Sequence, residues 1–371
     1  MNYPPFCPNE QCKNHFLKHT DYSKFSRNGY YSTRLHKRLH IFLCKNCGRK
    51  FSERSFSIDF WFHKKVSYQA VLNEINSCSG IRAAGRNLGC SRGIILRRIS
   101  RLARQAISVH HILQKKIRLN EDLAADGFES FTGSQYYPNN INVLVGKESQ
   151  FLYFTDYSYI GRKGIMTEYQ KARNRELKRH FTCPNTITES FSELVEYILE
   201  LLNRSYRNQL VLYTDEKYQY CNVLKKLDHK GCIHHERTNS RIFRNLQNKN
   251  FSVNYIEREI RKDLAEHVRE STRYARNVNN SMERLALFRL KHNYLKLHRI
   301  NQARCRYPGM VHAEVAGVDK KEIEKEFSDI YSRRRFRLHQ KNLAENEDKL
   351  WRRLLITPPA DSVRESRFYA A

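Results

Sequence analysis

The stretch Glu121-Asp-Leu-Ala-Ala-Asp-Gly-Phe-Glu-Ser-Phe131 decides the fold. Leu123 to Ala125 is a short apolar run with the character of a buried strand, and it delivers the carboxylate of Asp126 to a strand end. Two later segments bring partners. Val211-Leu-Tyr-Thr-Asp215 is a second apolar run ending in an acid, and Asn254-Tyr-Ile-Glu257 opens a long helical pattern carrying a third. Carboxylates on strand, strand and helix, in that order, point to a divalent-metal site suited to phosphodiester chemistry.

Around these segments the strand and helix signals run β-β-β-α-β-α-β-α. Ile141-Asn-Val-Leu-Val145 and Phe151-Leu-Tyr-Phe154 follow the first strand as an antiparallel meander. After a basic segment from Arg162 to Arg179, an amphipathic helix carries Phe191, Leu194, Val195, Ile198, Leu201 and Leu202 on one face. The fourth strand is Leu210 to Tyr213, a helix spans Tyr218 to Leu227, and Cys232-Ile-His-His235 is the fifth strand. This order is that of a ribonuclease H-like mixed sheet with flanking helices, in which strands one and four are neighbours. Asp126 and Asp215 then lie side by side, with Glu257 reaching them from the last helix. For the third acid, Glu259 and Glu283 are rivals, and Asp122 and Asp156 rival Asp126. Taken singly, Asp126-Gly127 is also a turn dipeptide, Asp215-Glu216 a helix start and Glu257 a solvated charge.

Upstream, Cys7-Pro-Asn-Glu-Gln-Cys12 and Cys44-Lys-Asn-Cys47-Gly48 flank a segment of β character. Two cysteine knuckles joined by a hairpin make a zinc ribbon, with Cys7, Cys12, Cys44 and Cys47 as thiolate ligands of one Zn²⁺. The first pair has a longer spacing than is usual, so His15 or His19 is an alternative to Cys12. Next come three helical patterns: Val66 to Cys78, Ile81 to Leu88 ended by Gly89, and Arg92 to Ala106 with Ser91 as its cap. A short helix, a glycine turn and a basic amphipathic helix form a helix-turn-helix pattern. Arg92, Arg97, Arg98, Arg101 and Arg104 give the third helix a positive face, suited to phosphates and guanine edges. The plainer alternative is a helical bundle with a solvated basic face.

Composition agrees with a polyanionic partner. The 371-residue chain holds 67 Lys and Arg against 38 Asp and Glu, a formal charge of +29. Residues 1–115 hold 21 basic against 5 acidic side chains, over half of the net charge. DNA docking is therefore expected in the first third, and metal chemistry downstream where the acids lie. No apolar run reaches the length of a membrane span and no signal peptide is visible, so a cytoplasmic protein acting on chromosomal DNA is expected. The expected units are a zinc ribbon (1–60), a helix-turn-helix domain (61–115), a catalytic domain (116–300) and a basic helical C-terminal extension (301–371). The extension has charged helical stretches near 319–332 and 337–355, and Pro358-Pro359 is expected to end the ordered structure.

Together these parts resemble the DDE transposases of bacterial insertion sequences over about residues 5–300. The resemblance rests on the four cysteines with Cys47-Gly-Arg-Lys-Phe-Ser52, the turn Arg82-Ala-Ala-Gly-Arg-Asn-Leu-Gly-Cys-Ser91, Ala125-Asp-Gly127, Tyr213-Thr-Asp-Glu216 and Asn254-Tyr-Ile-Glu-Arg-Glu-Ile-Arg261. It implies that Asp126, Asp215 and Glu257 bind two Mg²⁺ or Mn²⁺ ions. It also implies an oligomer on paired element ends of double-stranded DNA, and cleavage and strand transfer without a covalent protein–DNA intermediate. A non-catalytic DNA-binding regulator and a structure-selective nuclease of the same fold are the alternatives.

Overall fold

The computed structural model describes residues 4–359, except 18–20, 34–35, 182–184, 229–230, 240, 244, 246, 269–272, 302 and 304. Two sheets organise it. Strands β1 (Phe25–Thr33), β2 (His36–Cys44) and β3 (Lys50–Ser52) form an antiparallel ribbon. Strands β4 (Leu123–Phe131), β5 (Pro138–Gly146), β6 (Leu152–Tyr159), β7 (Leu210–Thr214) and β8 (Ile233–Arg237) form a mixed sheet in the order β6-β5-β4-β7-β8. Its first three strands are antiparallel, while β7 runs parallel to both β4 and β8. Strands one and four of this sheet are therefore neighbours, as expected from the element order.

One boundary differs from expectation in a way that matters. β4 does not stop at Ala125: Asp126 to Phe131 continue the ladder with β5, ending at Phe131 opposite Pro138. The parallel pairing with β7 is recorded only at Leu123 and Ala124. Asp126 is thus inside its strand, but near the level at which β7 ends.

Helices α1 (Tyr68–Ile75), α2 (Ile81–Asn87) and α3 (Arg92–Gln114) precede the mixed sheet. The turn after α2 needs Gly89, at φ +59°, and it packs so closely that a Cβ on Gly85 would lie 2.8 Å from the Cys90 carbonyl oxygen. Ser91 stands at the N-cap of α3, but its hydroxyl makes no capping bond. α3 runs eight residues beyond the expected end at Ala106. Its second half is buried despite polar residues, because each of several finds a partner inside. Gln105 donates to the carbonyls of Ile330 and Arg333, and His110 bridges the Tyr294 hydroxyl and the Tyr153 carbonyl.

Helices α4 (Glu168–His180) and α5 (Ile187–Ser205) link β6 to β7, α6 (Tyr218–Leu227) links β7 to β8, and α7 (Phe251–Asp263) follows β8. In α8 (Val278–Tyr294) 15 of 17 residues are buried, charged ones included, and the helix packs along α3. Its arginines are neutralised inside, Arg284 by Glu266 and Arg289 by Glu347 at 2.5 Å. Short helices α9 (His312–Val315), α10 (Lys320–Phe327) and α11 (Glu345–Arg352) complete the described chain.

A single hydrophobic core extends from Ile58 through the helical segment and the mixed sheet to Trp351. The C-terminal segment is part of this body. Asn346 donates to the Thr155 carbonyl at 2.8 Å, and the Tyr159 hydroxyl donates to the Ile356 carbonyl at 2.8 Å. The ribbon has its own small core, and Phe336 is one of its six buried phenylalanines. Among the described residues no helix is long and apolar enough to cross a membrane.

Candidate functional site

The ribbon's knuckles bring four sulfurs together. The ligand atoms of Cys7, Cys12, Cys44 and Cys47 all lie within 4.8 Å of one another. The Cys7–Cys47 and Cys12–Cys44 sulfur separations are both 3.7 Å. A tetrahedron with Zn–S bonds of about 2.3 Å has edges of roughly 3.8 Å, so this spacing fits zinc and not a disulfide. Gly48, at φ +70°, makes the knuckle turn by donating to the Cys44 carbonyl at 2.9 Å. Amide donors surround the sulfurs: Asn46 Nδ2 reaches Cys12 Sγ at 3.2 Å, and Asn14 Nδ2 reaches Cys44 Sγ at 3.4 Å. Such donors favour thiolates. Cys12 holds its place in the quartet. His15 instead bonds the Cys7 carbonyl through Nδ1 at 2.7 Å, and His19 lies outside the described residues.

The five arginines proposed for DNA have different surroundings. Arg92 and Arg97 are exposed on the first half of α3. Arg101 and Arg104 are half-buried, donating to the carbonyls of Phe60 (3.3 Å) and Trp351 (3.2 Å). Arg98 is interior, 1 % exposed, paired with Asp59 and set against the rings of Phe62 and Tyr68. Its spacing carried that signal. Position 98 lies three residues after Ile95 and four before Leu102, on the apolar stripe.

The two aspartates are brought together. Continuing the β4–β7 register by two residues sets Asp126 opposite Asp215. Lys217, which sequence reasoning missed, lies between them: its Nζ is 3.6 Å from Asp126 Oδ1 and 3.5 Å from Asp215 Oδ2. Burial works against this ammonium, but Tyr220, Asp126 and Asp215 outweigh it and raise the Lys217 pKa above the usual lysine value. Local backbone fixes both acids. Gly127 N–H donates to Asp126 Oδ1 at 2.6 Å, and Lys217 N–H to Asp215 Oδ1 at 3.2 Å. Nothing in the sequence marked Lys217, since a lysine after Asp-Glu reads as a helix start.

Glu257 is half-buried on α7, which packs across β4 and β5. The Arg261 guanidinium, one turn further on, lies 4.3 Å from the ring centre of Phe128. Phe128 shares a strand face with Asp126 and Arg261 shares a helix face with Glu257, so α7 presents Glu257 toward the Asp126 side of the sheet. The trio is not closed on one point. Among the described residues the cysteine quartet is the one cluster of three or more ligating side chains within 4.8 Å.

The rival acids are engaged elsewhere. Glu259 is buried against Lys262 (2.9 Å) and Lys296 (2.5 Å), and Glu283 pairs with Arg353. Asp122 accepts from Arg207 at 2.8 Å and from the Val211 N–H at 3.1 Å, tying β7 in place. Asp156 is buried on edge strand β6, where burial pushes its pKa up and Asn185 donates to it at 3.2 Å. No protein-family profile and no curated protein matches this chain.

Proposed function

We infer that this protein is a DDE-type transposase, with a ribonuclease H-like catalytic sheet, that binds insertion-sequence ends and carries out metal-dependent DNA cleavage and strand transfer. The observation that carries the reading is the pair Asp126, in β4, and Asp215, just past the end of the parallel neighbour β7, sharing one half-buried cation. The strand order of the mixed sheet supports the fold assignment. A cation between two carboxylates is the arrangement a divalent ion would take over, and the hard oxygen donors suit Mg²⁺ or Mn²⁺. Asp126, Asp215 and Glu257 would hold it. Two divalent ions bound there would supply Lewis acidity to the attacking and leaving oxygens. The protein's own groups orient the DNA: exposed Arg92 and Arg97 on α3, and Arg258 beside Glu257. Cys7, Cys12, Cys44 and Cys47 would hold a separate structural Zn²⁺.

The test is cleavage and joining of a labelled element end, run beside a gel shift. Asp126→Asn, Asp215→Asn and Glu257→Gln keep shape but remove the charge. Each is expected to retain DNA binding and to lose Mg²⁺-dependent cleavage by at least about a hundredfold. Wild-type cleavage without joining would instead indicate a nuclease. Full activity in all three variants would end the catalytic reading.

A further inference from the structure

The turn at residues 57–62 joins the ribbon to α1 and is held firmly. Phe60 N–H donates to the Ser57 carbonyl (3.0 Å), and Phe62 N–H to the Asp59 carbonyl (2.9 Å). Arg54 donates to the carbonyls of Asp59 (3.1 Å) and Phe62 (2.8 Å), and the Tyr68 hydroxyl to that of Ile58 (3.1 Å). On this rigid base stands Trp61. Its side chain is 73 % exposed and its backbone is left-handed, at φ +66°. A large aromatic held out in a strained conformation by an over-determined turn is not explained by packing.

Beside Trp61 opens a cleft of about 400 Å³. It is lined by the aromatic side chains of Trp61 and Phe62 and by the guanidinium groups of Arg97, Arg101 and Arg353, with Arg101 5.6 Å from the Phe62 ring centre. Arg353 already serves Glu283 and the Asn280 Oδ1 (2.7 Å), whereas Arg97 is exposed at the rim. The cleft adjoins the exposed half of α3. An exposed flat ring beside guanidinium groups matches a nucleobase and its phosphate, since every base offers a π-face and every nucleotide a negative charge.

We propose that this cleft binds an unpaired nucleotide of the DNA held on α3, with Trp61 as the stacking platform and Arg97 and Arg101 at its phosphate. The inference rests on the DNA-binding part of the proposed function and not on the carboxylates. It implies a preference for ends or junctions where a base is out of the duplex.

The experiment compares the full chain binding a short blunt duplex with the same duplex carrying a single-stranded 3′ overhang that contains 2-aminopurine. The wild type is expected to bind the overhang roughly tenfold more tightly and to change the probe's fluorescence. Trp61→Ala should remove both effects while keeping affinity for the blunt duplex, and Trp61→Phe should keep part of the preference. A wild type that binds both duplexes equally, or a Trp61→Ala variant that keeps the preference, overturns the proposal. So does a Trp61→Ala variant altered only in oligomeric state, which would make the cleft a protein interface. Failure to bind either duplex removes the DNA-binding reading itself, and the cleft proposal with it.

Discussion

At the scale of single residues, Lys217 decides how the two aspartates are kept. Two carboxylates at one point repel, and the ammonium between them offsets that repulsion in a partly buried setting. Lys217→Met removes the charge and keeps most of the side chain's length. Without metal, the variant is expected to lose about 3 kcal/mol of stability, read by chemical denaturation. Mn²⁺ should restore that loss, and the variant should bind Mn²⁺ more tightly than the wild type. A destabilised variant that Mn²⁺ does not rescue would show that the aspartates do not receive a cation. Much at this scale was legible in advance. Asp126 and Asp215 stood out because each ends an apolar run, and the cysteines because of their pairing. Lys217 and Trp61 were not legible, because the settings that single them out also need distant partners, Asp126 for Lys217 and the α3 arginines beside Trp61.

At the scale of elements, apolar periodicity located strands and helices well where one face is buried. It failed where burial is satisfied by polar contacts. α4 has only Asn174 and Leu177 buried, so no apolar stripe announced it. The far half of α3 is interior but carries Gln105, His110 and His111. The turn between β5 and β6 shows the same physics. Consecutive carbonyls of Glu148, Ser149 and Gln150 accept hydrogen bonds from His298 (3.0 Å), His312 (2.7 Å) and His292 (2.9 Å). Glu121 accepts from the Glu148 and Ser149 N–H groups on the other side, both at 2.9 Å. Burial lowers the pKa of all three histidines, that of His292 to about 3. The unfolded chain takes up protons near pH 6.5 that the folded turn refuses. Stability is therefore full above that pH and is lost as pH falls toward about 3. His292 contributes a slope of about 1.4 kcal/mol per pH unit between those limits, and His298 and His312 act in the same direction. Urea titrations at neutral and mildly acidic pH should show this slope, and His312→Gln should flatten it. An unchanged slope in that variant would place the acid sensitivity elsewhere.

At the scale of the whole molecule, the segment after Asp329 returns to the ribbon. Ser57 and Arg333 form a β-bridge, Ile58 N–H donates to the Ser332 carbonyl at 3.0 Å, and Arg334 N–H to the Phe56 carbonyl at 2.7 Å. Phe336 then packs its ring 5.2 Å from that of Phe6, beside the cysteines. In the sequence it was one aromatic in the basic run Arg333-Arg-Arg-Phe-Arg337, with no local sign that it belongs to a core 280 residues away. Phe336→Ala is expected to cost about 3–5 kcal/mol. Because the cavity would open beside the sulfurs, zinc should also leave faster, as read with a chromophoric chelator. Zinc release at the wild-type rate would separate the two ends of the chain energetically.

This return of the chain also orders events during synthesis. The four cysteines leave the ribosome long before Phe336 is made, so a nascent ribbon that captures zinc does so with its aromatic core incomplete. The cysteine cluster is then among the first parts of the protein able to form and among the last to be finished. A chain that stalls before residue 336 carries an exposed cluster of phenylalanines on an otherwise basic segment, a surface that invites aggregation or disposal.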